Sequence, residues 1–326
     1  MEFEDNHNCS SNVVPSMDSN VDPNISSSMG SKGFDIPPEG RDALRSHFGR
    51  TLNDEFPLPV IVCIAKLEHD YIEEFMKYHL ALGFKRIYLF DNEDVPTYAK
   101  LLKKYVDSGQ VLIYHLPHNN HYIMKNDVQC FIPVQYLALH IFVEQIMPNS
   151  DITHVAHIDI DEFIALKRHS NICDFIKEYI VGDCAGIGMN WRIFGSSNRA
   201  EKTNAPVTAR FTMCEEKGHQ CIKTIFKKDC FVKFDTCHAI VASEGMHIKS
   251  TNGTIPEGPF NFNVDYDVIQ LNHYKCKTLP EFKYIRTRQR ADKIGETNED
   301  INASFKQYDI NEIEELTARK FYQSII

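Results

Sequence analysis

Asp159 and Asp161 are the residues of this chain best placed to do chemistry. They stand in Thr153-His-Val-Ala-His-Ile-Asp-Ile-Asp-Glu-Phe-Ile164. An apolar, strand-like run leads into them, and side chains two apart on an extended backbone share a face. Two carboxylates at the end of a buried strand repel each other unless a cation or a rim of donors lies between them. A hard divalent ion holding a phosphate is the usual solution. The pair therefore points to an enzyme for a phosphorylated or nucleotide substrate. An Asp-x-Asp pair also serves as a plain turn or helix cap, so its surroundings matter.

The elements that must position the pair can be read upstream of it. Val60-Ile-Val-Cys-Ile-Ala65 is a continuous apolar run, as a buried parallel strand requires. Apolar residues at 72, 75, 76, 80 and 82 have helical spacing, and Gly83 marks the stop. Arg86–Phe90 predicts a second strand closed by Asp91-Asn92, followed by a helix through 95–106 and a third strand over 111–116. Residues 131–147 read as one long apolar helix before the strand that ends at Asp159. Strand–helix, three times over, predicts a doubly wound parallel sheet with ligands at the carboxyl ends of its strands. Lys66, Asp91 and the aspartate pair all fall at such ends.

The second half is less regular. A helix near 171–180 and a strand over 185–194 are expected, with shorter strands at 207–213, 222–227, 230–234 and 268–272. Thr278-Leu-Pro-Glu281 has capping-box spacing with Pro just inside the start. It predicts a helix carrying Lys283, Arg286, Arg288, Arg290 and Lys293. Lys283, Arg286 and Arg290 would share one side of it, a positive stripe suited to a diphosphate or an acceptor phosphate. A final helix is expected over 311–323. Residues 1–32 hold eight Ser, five Asn and five acids against one Lys. Such a segment buries too little to offset its ordering entropy, so 1–55 is expected to be a disordered or loosely ordered tail.

The 326 residues carry a formal charge of −10. Proteins that neutralise long nucleic acids are more often basic, so no nucleic-acid partner is expected. No run reaches the roughly 18 apolar residues of a membrane span. The N-terminus lacks a cationic segment followed by an apolar one. A cytoplasmic or otherwise soluble chain is expected, unless a membrane anchor was trimmed from a protein of the secretory lumen. Asn-x-Ser/Thr triplets at Asn8, Asn24, Asn252 and Asn302 weigh little in so Asn-rich a chain. Ten cysteines occur without a CxxC pair, and reduced thiols are expected.

Several segments, in order, resemble the metal-dependent glycosyltransferases of the GT-A fold, in the family-2-like group that merges into glycosyltransferase family 92. They are Ala65-Lys-Leu-Glu-His-Asp-Tyr-Ile-Glu-Glu-Phe75, Tyr78-His79, Leu82-Gly83, Tyr88-Leu-Phe-Asp-Asn92 and His157-Ile-Asp-Ile-Asp-Glu-Phe163. Asn190-Trp-Arg-Ile-Phe-Gly-Ser196, Asn272-His-Tyr274 and Glu281-Phe282 complete the set. The resemblance spans about 60–290, leaving the tail and the loop 199–222 unmatched. It implies an α/β GT-A fold, Rossmann-like, with a mostly parallel central sheet, flanking helices and a small C-terminal helical part. The catalytic domain would cover 56–277, with a nucleotide-binding half at 58–165 and an acceptor half at 166–277, and helices from 278–326 would pack on it.

The resemblance also implies a reaction: transfer of a sugar from a UDP- or GDP-sugar to a hydroxyl of a glycan or glycoprotein, with inversion, assisted by Mn²⁺ or Mg²⁺. Asp161 would ligate the ion, Asp159 would contact the ribose or the ion, and His273 would be a third ligand. Lys66, Glu68, Asp91 and Asn92 would lie beside the base and ribose. His238 would face the donor sugar or deprotonate the acceptor, and Trp191 would stack on a sugar ring. Three rivals compete. A DxD phosphatase would carry Thr or Val where Phe163 stands, on its first strand. A nucleotidyltransferase would need a Gly-rich loop where Lys66-Leu-Glu-His stands. A non-catalytic carbohydrate-binding protein could keep the same fold.

Overall fold

The computed structural model describes residues 57–118, 120–125, 128–288, 291 and 300–326. The expected tail, Arg290 and Lys293 lie outside them. The chain forms β1 (Pro59–Ala65), α1 (Ile72–Ala81), β2 (Arg86–Asp91), α2 (Tyr98–Leu101), α3 (Lys103–Asp107) and β3 (Val111–His115). A hairpin of β4 (Asn120–Lys125) and β5 (Val128–Pro133) precedes α4 (Val134–Ile141), which runs on into a π-helical turn over Phe142–Ile146. Then come β6 (His154–His157), β7 (Glu162–Leu166), α5 (Ile172–Tyr179), β8 (Cys184–Ile193), α6 (Val207–Arg210), β9 (Met213–Cys214) and β10 (Ile222–Lys227). The chain ends with β11 (Phe231–Phe234), β12 (Ile240–Ala242), β13 (His247–Lys249), β14 (Ile269–His273), α7 (Leu279–Ile285), α8 (Ile301–Tyr308), β15 (Ile313–Glu314) and α9 (Thr317–Ser324).

One sheet organises these elements. Its order is β3-β2-β1-β6-β10-β8-β14-β7, with β13 beside β8. The first four strands are parallel, which puts the ends of β1 and β6 at one edge. β10 then enters antiparallel to both β6 and β8. β14 runs parallel to β8 and antiparallel to β7. The parallel strands read as unbroken apolar runs because both faces are covered: Ile61, Cys63 and Ala65 face one core cluster, Val60 and Val62 the other.

Helix α1 docks by hydrogen bonds as well as by its apolar face. The Tyr78 hydroxyl donates to the Ile164 carbonyl (2.9 Å), and the Ile164 N–H donates to His79 Nε2 (3.3 Å). Burial pushes His79 down to about 3, so its ring is a neutral acceptor at ordinary pH. Gly83 ends this stretch at φ +111, a conformation that L side chains rarely adopt.

Several expectations need correction. Residues 95–106 form two short helices rather than one. The helix expected over 131–147 starts only at Val134, because residues 128–133 pair with β4. The strand expected over 207–213 is mostly α6: Glu74 accepts from the N–H groups of Val207 (2.5 Å) and Thr208 (3.0 Å) and so caps a helical turn there. The basic helix opens at Thr278 with the expected capping box but stops at Ile285, after about two turns, which ends the expected stripe there. The region expected as one helix over 311–323 is β15 followed by α9.

Candidate active site

The chain leaves β6 at His157, so Asp159 and Asp161 lie in the turn to β7 rather than on a continuing strand. The Glu162 N–H closes that turn on the Asp159 carbonyl (3.0 Å), and the Tyr274 N–H holds the Asp161 carbonyl (2.8 Å). Both carboxylates still line one cleft of about 250 Å³ at the carboxyl ends of β1, β6 and β14. Their convergence rests on a tethered turn, not on the period-2 alternation of an extended chain.

Asp159 is held by the protein on both oxygens, though its side chain is 34% exposed. Gln135 Nε2 donates to its Oδ1 (3.1 Å) and Lys223 Nζ to its Oδ2 (3.1 Å). The Lys223 side chain is 1% exposed and also donates to the Cys237 carbonyl (3.2 Å). Burial would raise the Asp159 carboxyl, but Lys223 and His157 outweigh it and hold it below the usual range. Glu162, wholly buried, accepts from the Asp159 N–H (2.8 Å) and lies 4.0 Å from Lys223. Desolvation pushes it well above the ordinary carboxylate value, so it is the neutral partner of the pair.

Asp161 is the other half of the motif. His273, at the end of β14, brings Nε2 to 3.6 Å from its Oδ2. Burial opposes ionisation of Asp161, but His273, Lys277 and Arg288 overcome that and hold it far below the carboxylate range. Burial drives His273 the opposite way from protonation, so the ring is neutral near pH 7. An ionised carboxylate facing a neutral imidazole suits Mn²⁺ or Mg²⁺ as donor chemistry. The Nδ1 of His273 is buried and has no hydrogen-bond partner among the described residues. No group of three His, Cys, Asp or Glu able to enclose an ion occurs among them either.

Trp191 forms one wall, packed at 4.4 Å between ring centroids against His273, 5.1 Å against His238 and 5.5 Å against His219. His238 Nδ1 hydrogen-bonds the Ile222 carbonyl (3.0 Å), which fixes its ring at the cleft. Just past the end of β1, Leu67, at φ +60, turns the chain, and Lys66 and Glu68 both line the cleft. Arg288 Nη1 pairs with Glu68 Oε1 (2.7 Å) and donates to the Lys66 carbonyl. Arg286 and Lys275 complete a cationic lining.

The segment bearing these arginines is anchored by Glu281. Its carboxylate receives both Arg210 nitrogens (2.9 and 3.0 Å), the Tyr71 hydroxyl (2.8 Å) and the Thr278 hydroxyl (2.6 Å). Burial raises the group, but hydrogen bonds from Arg210 and Thr278 prevail and bring it down to about 2.

Asp159, Asp161, His273, His238, Trp191, Lys66, Glu68, Asn92 and Arg286 thus meet in one cleft. Two of the expected nucleotide contacts are already committed. Asp91 is fully buried and accepts from the N–H groups of Glu93, Thr97 and Tyr98, which makes it a loop cap rather than a ribose contact. Asn92 touches the cleft, but its Nδ2 donates to the Leu116 and His118 carbonyls (2.7 Å each). Lys283 is exposed and away from the cleft. Sequence reasoning missed Lys223, Gln135, Lys275 and the position of Arg288. Lys223 sits in an expected strand whose other residues read as core, and a lysine in a buried strand was itself the available signal.

The model of glycosyltransferase family 92 matches residues 58–320. No curated protein matches the chain. Among solved structures, the chain is similar to S. aureus TarS 1–349 in complex with UDP-GlcNAc: 13% identity, 53% of this chain and 46% of that one, TM-score 0.30. It is also similar to S. aureus TarS 1–349 alone, with 11% identity, 82% and 70% coverage and TM-score 0.34. Against S. aureus TarS the figures are 12%, 53%, 28% and 0.31. The chain spans about half of the first of these and about a quarter of the last.

Proposed function

We propose, for a chain that belongs to glycosyltransferase family 92, that its reaction is metal-assisted transfer of a sugar from a UDP- or GDP-sugar to a hydroxyl of a glycan or glycoprotein, with inversion at the anomeric carbon. The observation that carries this reading is one cleft holding an ionised Asp161 beside His273 and a rim of Lys66, Lys275, Arg286 and Arg288. Separate binding of a cation and of a diphosphate would call for these same groups.

Asp161 and His273 would hold Mn²⁺ or Mg²⁺, with the remaining ligands left to phosphate oxygens and water, as such ions prefer. The cation, when bound, supplies charge neutralisation for the departing diphosphate. Arg286 and Arg288 would grip phosphate oxygens by charge-assisted hydrogen bonds. Glu68, whose Oε2 is buried without a hydrogen-bond partner among the described residues, would accept from a donor hydroxyl or base N–H. Trp191 would carry the sugar ring on its face. His238, fixed by its bond to Ile222, would take the proton of the acceptor hydroxyl. Walls this closely packed would also keep water from the activated sugar.

A screen of the common nucleotide sugars with Mn²⁺, scored for released nucleoside diphosphate, tests the reading without knowledge of the acceptor. Turnover of one or a few donors is the expected result. Neither release nor binding for any donor would leave a non-catalytic protein on the same fold, and phosphate release from generic phosphoesters would favour the DxD phosphatase.

A further inference from the structure

We propose that Lys223 is a built-in counter-cation for Asp159, a positioning residue that withholds this aspartate from the metal and confines the ion to Asp161 and His273. The inference rests on the metal-assisted reading and assigns the two acids of the motif to different tasks.

Three observations support it. First, both Asp159 oxygens are occupied by rigid donors, Gln135 Nε2 at 3.1 Å and Lys223 Nζ at 3.1 Å. Each oxygen keeps a further lone pair, so these bonds orient Asp159, and it is the fixed ammonium beside it that disfavours a dication there. Second, Lys223 cannot swing away. Its side chain is 1% exposed, its ammonium also donates to the Cys237 carbonyl, and it lies on β10, flanked by β6 and β8. An ammonium this deep needs its anion, and Asp159 is the nearest one, with Glu162 at 4.0 Å. Third, Asp161 is held differently. Its carboxylate faces His273, and among the described residues no lysine or arginine is hydrogen-bonded to it, Lys277 and Arg288 acting on it only through space. A fixed positive charge at Asp159 repels a dication placed there, whereas Asp161 and His273 offer an anion and an uncharged donor. Asp159 is then left as an oriented acceptor for a donor hydroxyl.

The test is titration of the full chain with Mn²⁺ alone, followed by loss of the free-ion electron paramagnetic resonance signal. Asp161→Asn should weaken Mn²⁺ at least tenfold, and Asp159→Asn by less than threefold. Lys223→Met frees the Asp159 carboxylate and should tighten Mn²⁺ at least tenfold, while Lys223→Arg, which keeps the charge, should stay near wild type. The double variant Lys223→Met/Asp159→Asn should return to wild-type affinity. It also removes the buried charge that could prevent Lys223→Met from folding. A purely structural lysine would not produce tightening in one variant and reversal in the other. Equal weakening by Asp159→Asn and Asp161→Asn would overturn the proposal, as would loss of Mn²⁺ binding in a folded double variant. Absence of Mn²⁺ binding in the wild-type protein would overturn both the cation site and this inference. Retained binding of UDP in EDTA would, in that event, leave the sugar-transfer reading standing.

Discussion

His273 Nε2 lies 3.6 Å from Asp161 Oδ2, although the two residues come from a β-strand and a turn 112 positions apart. They meet because β14 pairs with β7, with His273 opposite Glu162, and because the Tyr274 N–H ties down the Asp161 carbonyl. Asp161→Asn keeps the shape of this contact and removes the charge. Donor turnover should fall roughly 100- to 1000-fold, the usual loss when one electrostatic stabiliser is removed. Steady-state release of nucleoside diphosphate measures it, and near-normal turnover would remove Asp161 from the chemistry.

Arg288 and Lys283 make opposite forecasts, although both come from the basic segment. Arg288 bonds Glu68 beside the cleft, whereas Lys283 is exposed. Arg288→Ala should weaken UDP binding by about 2 kcal/mol, roughly thirtyfold, as expected for lost charge-assisted hydrogen bonds. Lys283→Ala should change it less than twofold. Calorimetric titration with UDP reads both, and a larger effect at Lys283 would reinstate the helical stripe.

Acid stability should depend on Glu281. Its folded value of about 2 lies below the ordinary 4.5. The ionised form is therefore favoured by folding. That contribution is complete above about pH 4.5 and is lost as pH falls through 2, to the extent of roughly 2–3 kcal/mol. Urea midpoints between pH 2 and 5 should slope upward in the wild-type protein and flatten in Glu281→Gln. An unchanged slope would show that the group does not carry the linkage.

Gly186 should tolerate no side chain. A Cβ there would lie 2.4 Å from the Ile225 carbonyl oxygen and 2.7 Å from the Phe226 Cα, both backbone atoms of the neighbouring β10. Gly186→Ala should cost about 3 kcal/mol, at the upper end for overpacking, because strands cannot yield as a flexible side chain can. A thermal midpoint within one degree of wild type would contradict this.

Much of this was legible in the sequence where local signals and tertiary context agree. Residues 222–227 form the expected strand, and Thr278 and Glu281 form the expected capping box. The aspartate pair, His273 and Trp191 meet in one cleft. The failures share a cause. Glu74 caps residues 207 and 208 from 133 positions away, which no local pattern announces. Asp91 carries the ideal residue type at the ideal strand end, yet three backbone N–H groups claim it. Lys223 stands in a strand that reads as core, and its partners, half-buried Asp159 and buried Glu162, lie about 60 positions upstream. In each case a polar side chain answers a distant partner, and periodicity is blind to distance.

The placement of β10 next to β6 bears on how the molecule can be divided. A fragment ending at Leu166 would keep the four parallel strands and the turn with both aspartates. It would also bare a hydrogen-bonding edge on β6 and strip Asp159 of its ammonium partner. Such a truncation should precipitate rather than fold as an autonomous unit, and dissection of this chain must keep residues through at least Lys227 on the same polypeptide.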